Sequence, residues 1–284
     1  EYVSKLRVAA DSIKSKIYNN DLLALDKAKN DYESENMDLL SYYKALNDII
    51  QKKYIGIKDF PNFVNLIKIN ELEQKIDFAK IRNNTAKAEE KAIYDQYQEA
   101  LRKLNVNKLF KEEPILENKI QGAISENSDQ RTLYNISRAL SIMDKMLNVK
   151  LVPEEYSYFL DNKNDFNPEV WADFLKKKSE DFGLGLGISE NYYVIKDNMA
   201  TIEKFYSIAG KRDEIFVEKS GARMDKDSER KAILIAGGFH TPTLVNILSE
   251  KGYSYVVISP KVTTQTDDGV YRASLKTDWV SGLK

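Results

Sequence analysis

The sequence contains no cysteine, a single histidine, six prolines and twelve glycines in 284 residues. Without cysteine there can be no disulfide, no thiolate nucleophile and no Cys-ligated zinc. With one histidine, His240, a metal site would have to take its remaining ligands from carboxylates or from another polypeptide. The scarcity of proline and glycine agrees with long helices. Apolar runs are short, and none approaches the roughly 20 residues needed to cross a bilayer. Charge of one sign is also lacking, with 43 Lys and Arg against 44 Asp and Glu. No basic stripe with interleaved aromatics is present, so nucleic acid is not an expected partner. The chain opens on Glu1 rather than Met and no signal-like segment precedes it, which reads as a processed product, a fragment or an engineered piece. An extracytoplasmic location is favoured over a cytoplasmic one.

What is abundant is helix-forming, amphipathic sequence. Apolar residues make up 42% and charged residues 31% of the chain, a globular composition. Val3, Leu6, Val8, Ala9, Ile13 and Ile17 recur at helical spacing, and Asn19-Asn20-Asp21 is a turn and capping signal. A second long helix is expected over residues 22–50. Asp59-Phe60-Pro61 breaks the pattern, and helix resumes over 62–104 with a bend near Ile69-Asn70. Residues 105–114 read as a connection, followed by a short helix over 114–123. Leu133, Ile136, Leu140, Met143 and Leu147 form a clean apolar stripe, read as core. Pro153 and Pro168 each sit where a first helical residue would. The cluster Gly183-Leu184-Gly185-Leu186-Gly187 follows a helix instead of a strand, so it reads as a helix C-cap and turn rather than a phosphate cradle.

Only Lys231 to Pro260 departs from helix. Ala232 to Ala236 is an apolar run suited to a buried strand. Gly237, Gly238, Phe239 and His240 follow, Thr241-Pro242 opens a helix ending at Lys251-Gly252, and Tyr255 to Ile258 reads as a second strand. The expected fold class is therefore α/β but predominantly helical. A helical region over 1–200 precedes a C-terminal α/β portion over 201–284 that carries a small parallel β-α-β unit. Two parallel strands make a poor sheet, so the sheet is expected to be incomplete within this chain. The tail from Lys261 is polar, with Trp279 as its expected anchor.

Chemistry concentrates at the same place. A histidine directly after a strand lies where ligands bind in open α/β sheets. Gly237 and Gly238 would permit a sharp turn and close ligand approach. The first backbone N–H groups after Thr241 would attract an anion. His240 there could ligate a metal or move protons, or it could simply cap and pack the turn. Arg212, in Lys211-Arg212-Asp213-Glu214, could lie beside Phe216 one helical turn on and hold a carboxylate, phosphate or oxyanion, or be part of a solvated charged face. No Gly-x-Ser-x-Gly elbow is present.

Arg212-Asp213, the run Ile233 to Ala236 and Gly237 to His240 together resemble the C-terminal part of the TraB/Tiki/ChaN-like (GxxH) superfamily. The string GGFHT followed by LVNILSEKGYSYVVISPKVT resembles a group of uncharacterised bacterial proteins more closely. The resemblance is loose over the helical part and more specific over residues 212–263. It implies a metal-assisted hydrolase of the peptidase or esterase class, within a superfamily thought also to include a haem-binding member. On that reading His240 and Arg212 are catalytic, His240 is also a ligand to a divalent metal, and Gly237, Gly238 and Thr241 line the ligand site. The superfamily site uses a second histidine motif near the N-terminus of the fold, which this chain lacks. Its half-site would then come from an N-terminal fragment of the same precursor or from another protein chain. The alternative is a non-catalytic helical scaffold or interaction module that keeps a remnant β-α-β unit.

Overall fold

A computed structural model describes residues 1–237 and 240–259. The chain divides into two units, Glu1–Leu244 and Val245–Lys284.

The first unit is built from helices. The N-terminal helix α1 (Tyr2–Ile17) turns at Asn19, whose side chain accepts from the Leu22 N–H and caps α2 (Asn20–Glu33). A break then precedes α3 (Leu39–Lys53). The sequence pattern suggested one helix here, but Ser34, Glu35 and Asn36 stop it. Glu35 takes a left-handed conformation (φ 61°), the Asn36 and Met37 N–H groups bond back to the Asp31 carbonyl, and Asp38 caps the restart at Ser41. Ser34 bonds the Asn30 carbonyl and Asp38 accepts from the Ser41 N–H, and such short polar side chains bonding nearby backbone outweigh the apolar periodicity.

The stretch expected as one helix over 62–104 is three: α4 (Pro61–Glu73), α5 (Phe78–Arg82) and α6 (Ala88–Lys103). The interruptions fall at the Asp77 cap and at left-handed Asn84 (φ 56°), not at Ile69-Asn70, through which α4 runs unbroken. Conversely, the expected connection before Pro114 is helical, because α7 spans Val106–Ile124 with Pro114 inside it. Proline removes one N–H and crowds the preceding turn. The Asn105 cap and the buried face of Leu109, Leu116, Ile120 and Ile124 hold the helix through it.

Next come α8 (Ser128–Leu147), α9 (Pro153–Asp161), a short 3-10 turn and α10 (Pro168–Asp181), with proline at N1 of α9 and α10. Leu133, Ile136, Leu140 and Met143 of α8 are buried, while Leu147 at its end is exposed. Helix α8 packs on α1, and α1 also packs on α10. The core joins Leu6 and Ile13 of α1, Leu22 and Leu25 of α2, Tyr42, Tyr43 and Leu46 of α3, Phe159 of α9 and Trp171 of α10. Burying each such side chain contributes roughly 1.5–3 kcal/mol. The Trp171 indole donates to the Asp165 carbonyl at 2.7 Å, so its one polar atom is satisfied. Gly183 ends α10 in the left-handed region (φ 63°), and the Leu184 N–H bonds to the Ser179 carbonyl, the cap expected of the glycine cluster.

A four-residue helix α11 (Tyr193–Lys196) leads into the long α12 (Met199–Asp227), whose buried positions are Tyr206, Asp213 and Val217. The last helix, α13 (Thr241–Glu250), crosses the boundary between the units.

The expected C-terminal parallel β-α-β unit is not formed, and the α/β assignment is corrected to all-helical among the described residues. Residues 231–237 and 253–259 contain no strand. Ile233 and Ile235 are 92% and 91% exposed, and Val256 and Ile258 are also open to solvent. An apolar run specifies only that a segment favours an extended, buried setting. A strand exists only when a neighbour pairs its N–H and C=O groups, and no described segment does so here. Gly238 and the tail with Trp279 lie outside the described residues.

Candidate active site

The long helix α12 brings Asp213 under the turn that ends at His240. Residues 206, 213 and 217 lie seven and four apart, which sets them on one face of the helix. Tyr206 and Val217 on that face are buried, and the Tyr206 hydroxyl donates to the Met146 carbonyl at 2.9 Å. Asp213 shares that buried face and is 0% exposed. Its Oδ1 is hydrogen-bonded to His240 Nδ1. Its Oδ2 is buried without a hydrogen-bond partner among the described residues. A carboxylate in such a setting is costly unless an oriented or charged partner offsets the lost water, and the imidazole is that partner.

His240 is held from three directions. Its backbone N–H bonds to the Gly237 carbonyl at 3.0 Å, closing a tight turn at the entry to α13. The edge of its ring meets Phe216 with centroids 5.7 Å apart. Asp213 fixes the ring rotation. The His240 side chain remains 15% exposed. With Nδ1 engaged by a buried carboxylate, the tautomer is set and proton transfer falls to Nε2.

Arg212, exposed, does not touch the imidazole. Its guanidinium lies over the Phe216 ring, 5.4 Å from the centroid, the neighbour that helical spacing indicated. Arg212 and His240 are thus on the same phenylalanine. Gly237 has no positive φ, and an added Cβ would meet only the His240 ring carbon at 4.0 Å. The Gly237 backbone itself therefore makes no conformational demand for glycine. Thr241 is half-buried at the first residue of α13.

A divalent metal on His240 needs more ligands than these residues provide. No group of three or more His, Cys, Asp or Glu side chains among the described residues is placed to hold an ion. The described donors do not by themselves fit a metal.

Asp213 is the member of this candidate site that the sequence does not single out. The pair Arg212-Asp213 stands out in the sequence for its arginine, yet it is the aspartate that meets His240. The available signal was an aspartate in register with Tyr206 and Val217, a polar residue at a core position of a helix. Compared with models of known protein families, with curated proteins and with solved structures, the chain matches none.

Proposed function

We propose that this chain carries the acid–base half of a hydrolase site, with His240 as general base and Asp213 as the group that orients it. The observation that carries the reading is the hydrogen bond between His240 Nδ1 and buried Asp213. A base oriented by a third group is the recurring arrangement for activating water or a hydroxyl, and such proton transfer is worth roughly 10²–10⁴ in rate. In the forward step Nε2 would take the proton of the attacking water as its oxygen bonds the scissile carbonyl carbon. It would then return that proton to the leaving group as the carbonyl carbon–leaving group bond breaks. Asp213 stabilises the imidazolium formed between the two steps. His240 directly precedes α13 (Thr241–Glu250), and a helix start favours negative charge. Arg212 would steady a substrate carboxylate or the developing oxyanion from the rim, resting on Phe216. The substrate class is a peptide or ester, and a second polypeptide completes the site.

The test is turnover of a panel of activated esters and fluorogenic peptides by the purified chain together with any polypeptide that co-purifies. His240→Gln and Asp213→Asn should each lower kcat by at least about 100-fold with little change in KM. Absence of turnover, or variants as active as the wild type, would overturn the assignment.

A second reading has its own observation. The isoleucines at 233 and 235 are almost wholly exposed, as are Val256 and Ile258. Solvated apolar segments of this kind mark surfaces that a partner covers. On that reading the chain is an interaction module, and Asp213 with His240 only pins the segment entering α13. It predicts a stable complex whose formation is unaffected by His240→Gln.

A further inference from the structure

Between α2, α7, α8 and α9 of the helical unit lies a cavity of about 390 Å³, a volume within the range of small-molecule sites. Its walls include Tyr32, Phe110, Ile142 and Tyr158. Charged side chains project among these rings, five carboxyl groups against four basic groups. Most of the cations are already committed. Lys29 bonds Glu117 at 2.5 Å, and Glu117 also receives the Tyr42 hydroxyl. Lys145 spans Glu33 at 3.2 Å and Glu155 at 2.5 Å. The Arg138 guanidinium sits over Tyr158, 3.8 Å from the ring centre, and donates to the Asn118 side chain.

Glu113 differs from these. It accepts one hydrogen bond, from the Tyr43 hydroxyl at 2.7 Å, and no cation is paired with it among the described residues. It is one turn before Glu117 on the same face of α7, at the step where Pro114 leaves the helix one N–H short.

We propose that this cavity binds a small organic ammonium ion, its charged group on the Glu113 carboxylate and its apolar body between Tyr32, Phe110 and Tyr158. Three features converge on that chemistry. Among the described residues the wall carries one more acid than base, a balance that favours a cation. Among the described residues Glu113 and Glu154 are the wall acids without an ion pair, and Glu113 is the one set beside Glu117 and held by the Tyr43 hydroxyl. The remaining lining is aromatic, and ring faces attract alkylammonium groups. An anionic ligand would instead have to take Lys29 or Lys145 from its carboxylate, leaving a buried acid unpaired.

The state of Glu113 without ligand agrees. Burial and the neighbouring Glu117 push its carboxyl up to about 7, and the Tyr43 hydroxyl with Lys29 and Lys145 only partly offsets them. Near neutral pH it is partly protonated, which spares the empty cavity an uncompensated charge. An arriving ammonium displaces that proton. The binding is independent of His240 chemistry and is read without turnover.

The experiment is calorimetric titration of the full chain at pH 7 with benzylammonium, and with benzyl alcohol as the uncharged analogue of the same shape. Repeating it in two buffers of different ionisation heat counts protons. Saturable one-to-one binding of benzylammonium is expected, at least about tenfold tighter than benzyl alcohol, with release of up to about half a proton. Glu113→Gln keeps an acceptor for Tyr43 and should lose at least about tenfold for benzylammonium and nothing for benzyl alcohol. No saturable binding, equal affinity for the two probes, or an unchanged constant in E113Q would each overturn the proposal. Should E113Q fail to fold, the two probes and the proton count on the wild type decide it alone.

Discussion

Glu113 gives the chain a stability that should fall as pH rises through neutrality, opposite to the behaviour of most paired carboxylates. The perturbation is the pair wild type and Glu113→Gln, each unfolded with urea at pH 5, 6, 7 and 8. In the folded chain burial first, then repulsion from Glu117, lift the Glu113 carboxyl from 4.5 to about 7. The unfolded chain binds that proton only near the ordinary value. The folded state therefore holds a proton that the unfolded state does not, between those two pH values. The resulting advantage is complete below 4.5 and lost as pH climbs through about 7. Each pH unit of the interval is worth ~1.4 kcal/mol, which puts the whole span at about 3 kcal/mol. Glu113 faces a solvated cavity, and screening there lowers the expected loss to roughly 2–3 kcal/mol. Because glutamine does not titrate, every other group cancels in the difference between the two proteins. That difference should decline by this amount from pH 5 to 8, most steeply below pH 7. Parallel stability curves for wild type and variant would refute the reasoning, since they would mean that Glu113 titrates alike in both states.

Two further outcomes are expected. Glu117 is 2% exposed and bonded to Lys29 and Tyr42, so Glu117→Ala should cost about 3–5 kcal/mol by urea unfolding. The double variant Glu117→Met with Lys29→Met should recover most of that loss, and failure to recover would show that desolvation is not the cause. Ile235→Lys on the open segment before His240 should change stability by under about 0.5 kcal/mol in the isolated chain while abolishing any co-purifying partner. A loss above ~2 kcal/mol in the isolated chain would mean that the segment is packed rather than exposed.

Local chemistry was legible wherever one residue decides its own backbone. Asn19 caps α2, Pro153 and Pro168 begin their helices, and left-handed Gly183 ends α10, each as its neighbours in sequence indicate. The α8 stripe was legible because an amphipathic helix repeats its burial every turn. The splits at Glu35 and Asn84 were less so. There the competition is between periodic apolar spacing and short polar side chains, and spacing does not register how the polar groups bond. Residues before Pro114 were misjudged for the opposite reason. Proline argues for a boundary, and packing of Leu109 and Leu116 against the core overrides it.

The sequence by itself determined that the chain is mainly helical, that it has no cysteine chemistry and that His240 stands alone among imidazoles. It also put Arg212 beside Phe216, since one helical turn separates them. Tertiary structure decided the rest. Asp213 meets His240 across 27 positions of chain, and the Glu113 carboxyl is pushed up to about 7 because the fold buries it beside Glu117. The two apolar runs read as strands but form none and remain open to solvent, because a strand's hydrogen bonds belong to its neighbour and are not encoded in its own residues. Helical hydrogen bonds close within four residues and can be read locally. Sheet pairing, buried charge and the partner of a lone histidine depend on groups far away in sequence, and only the folded chain supplies them.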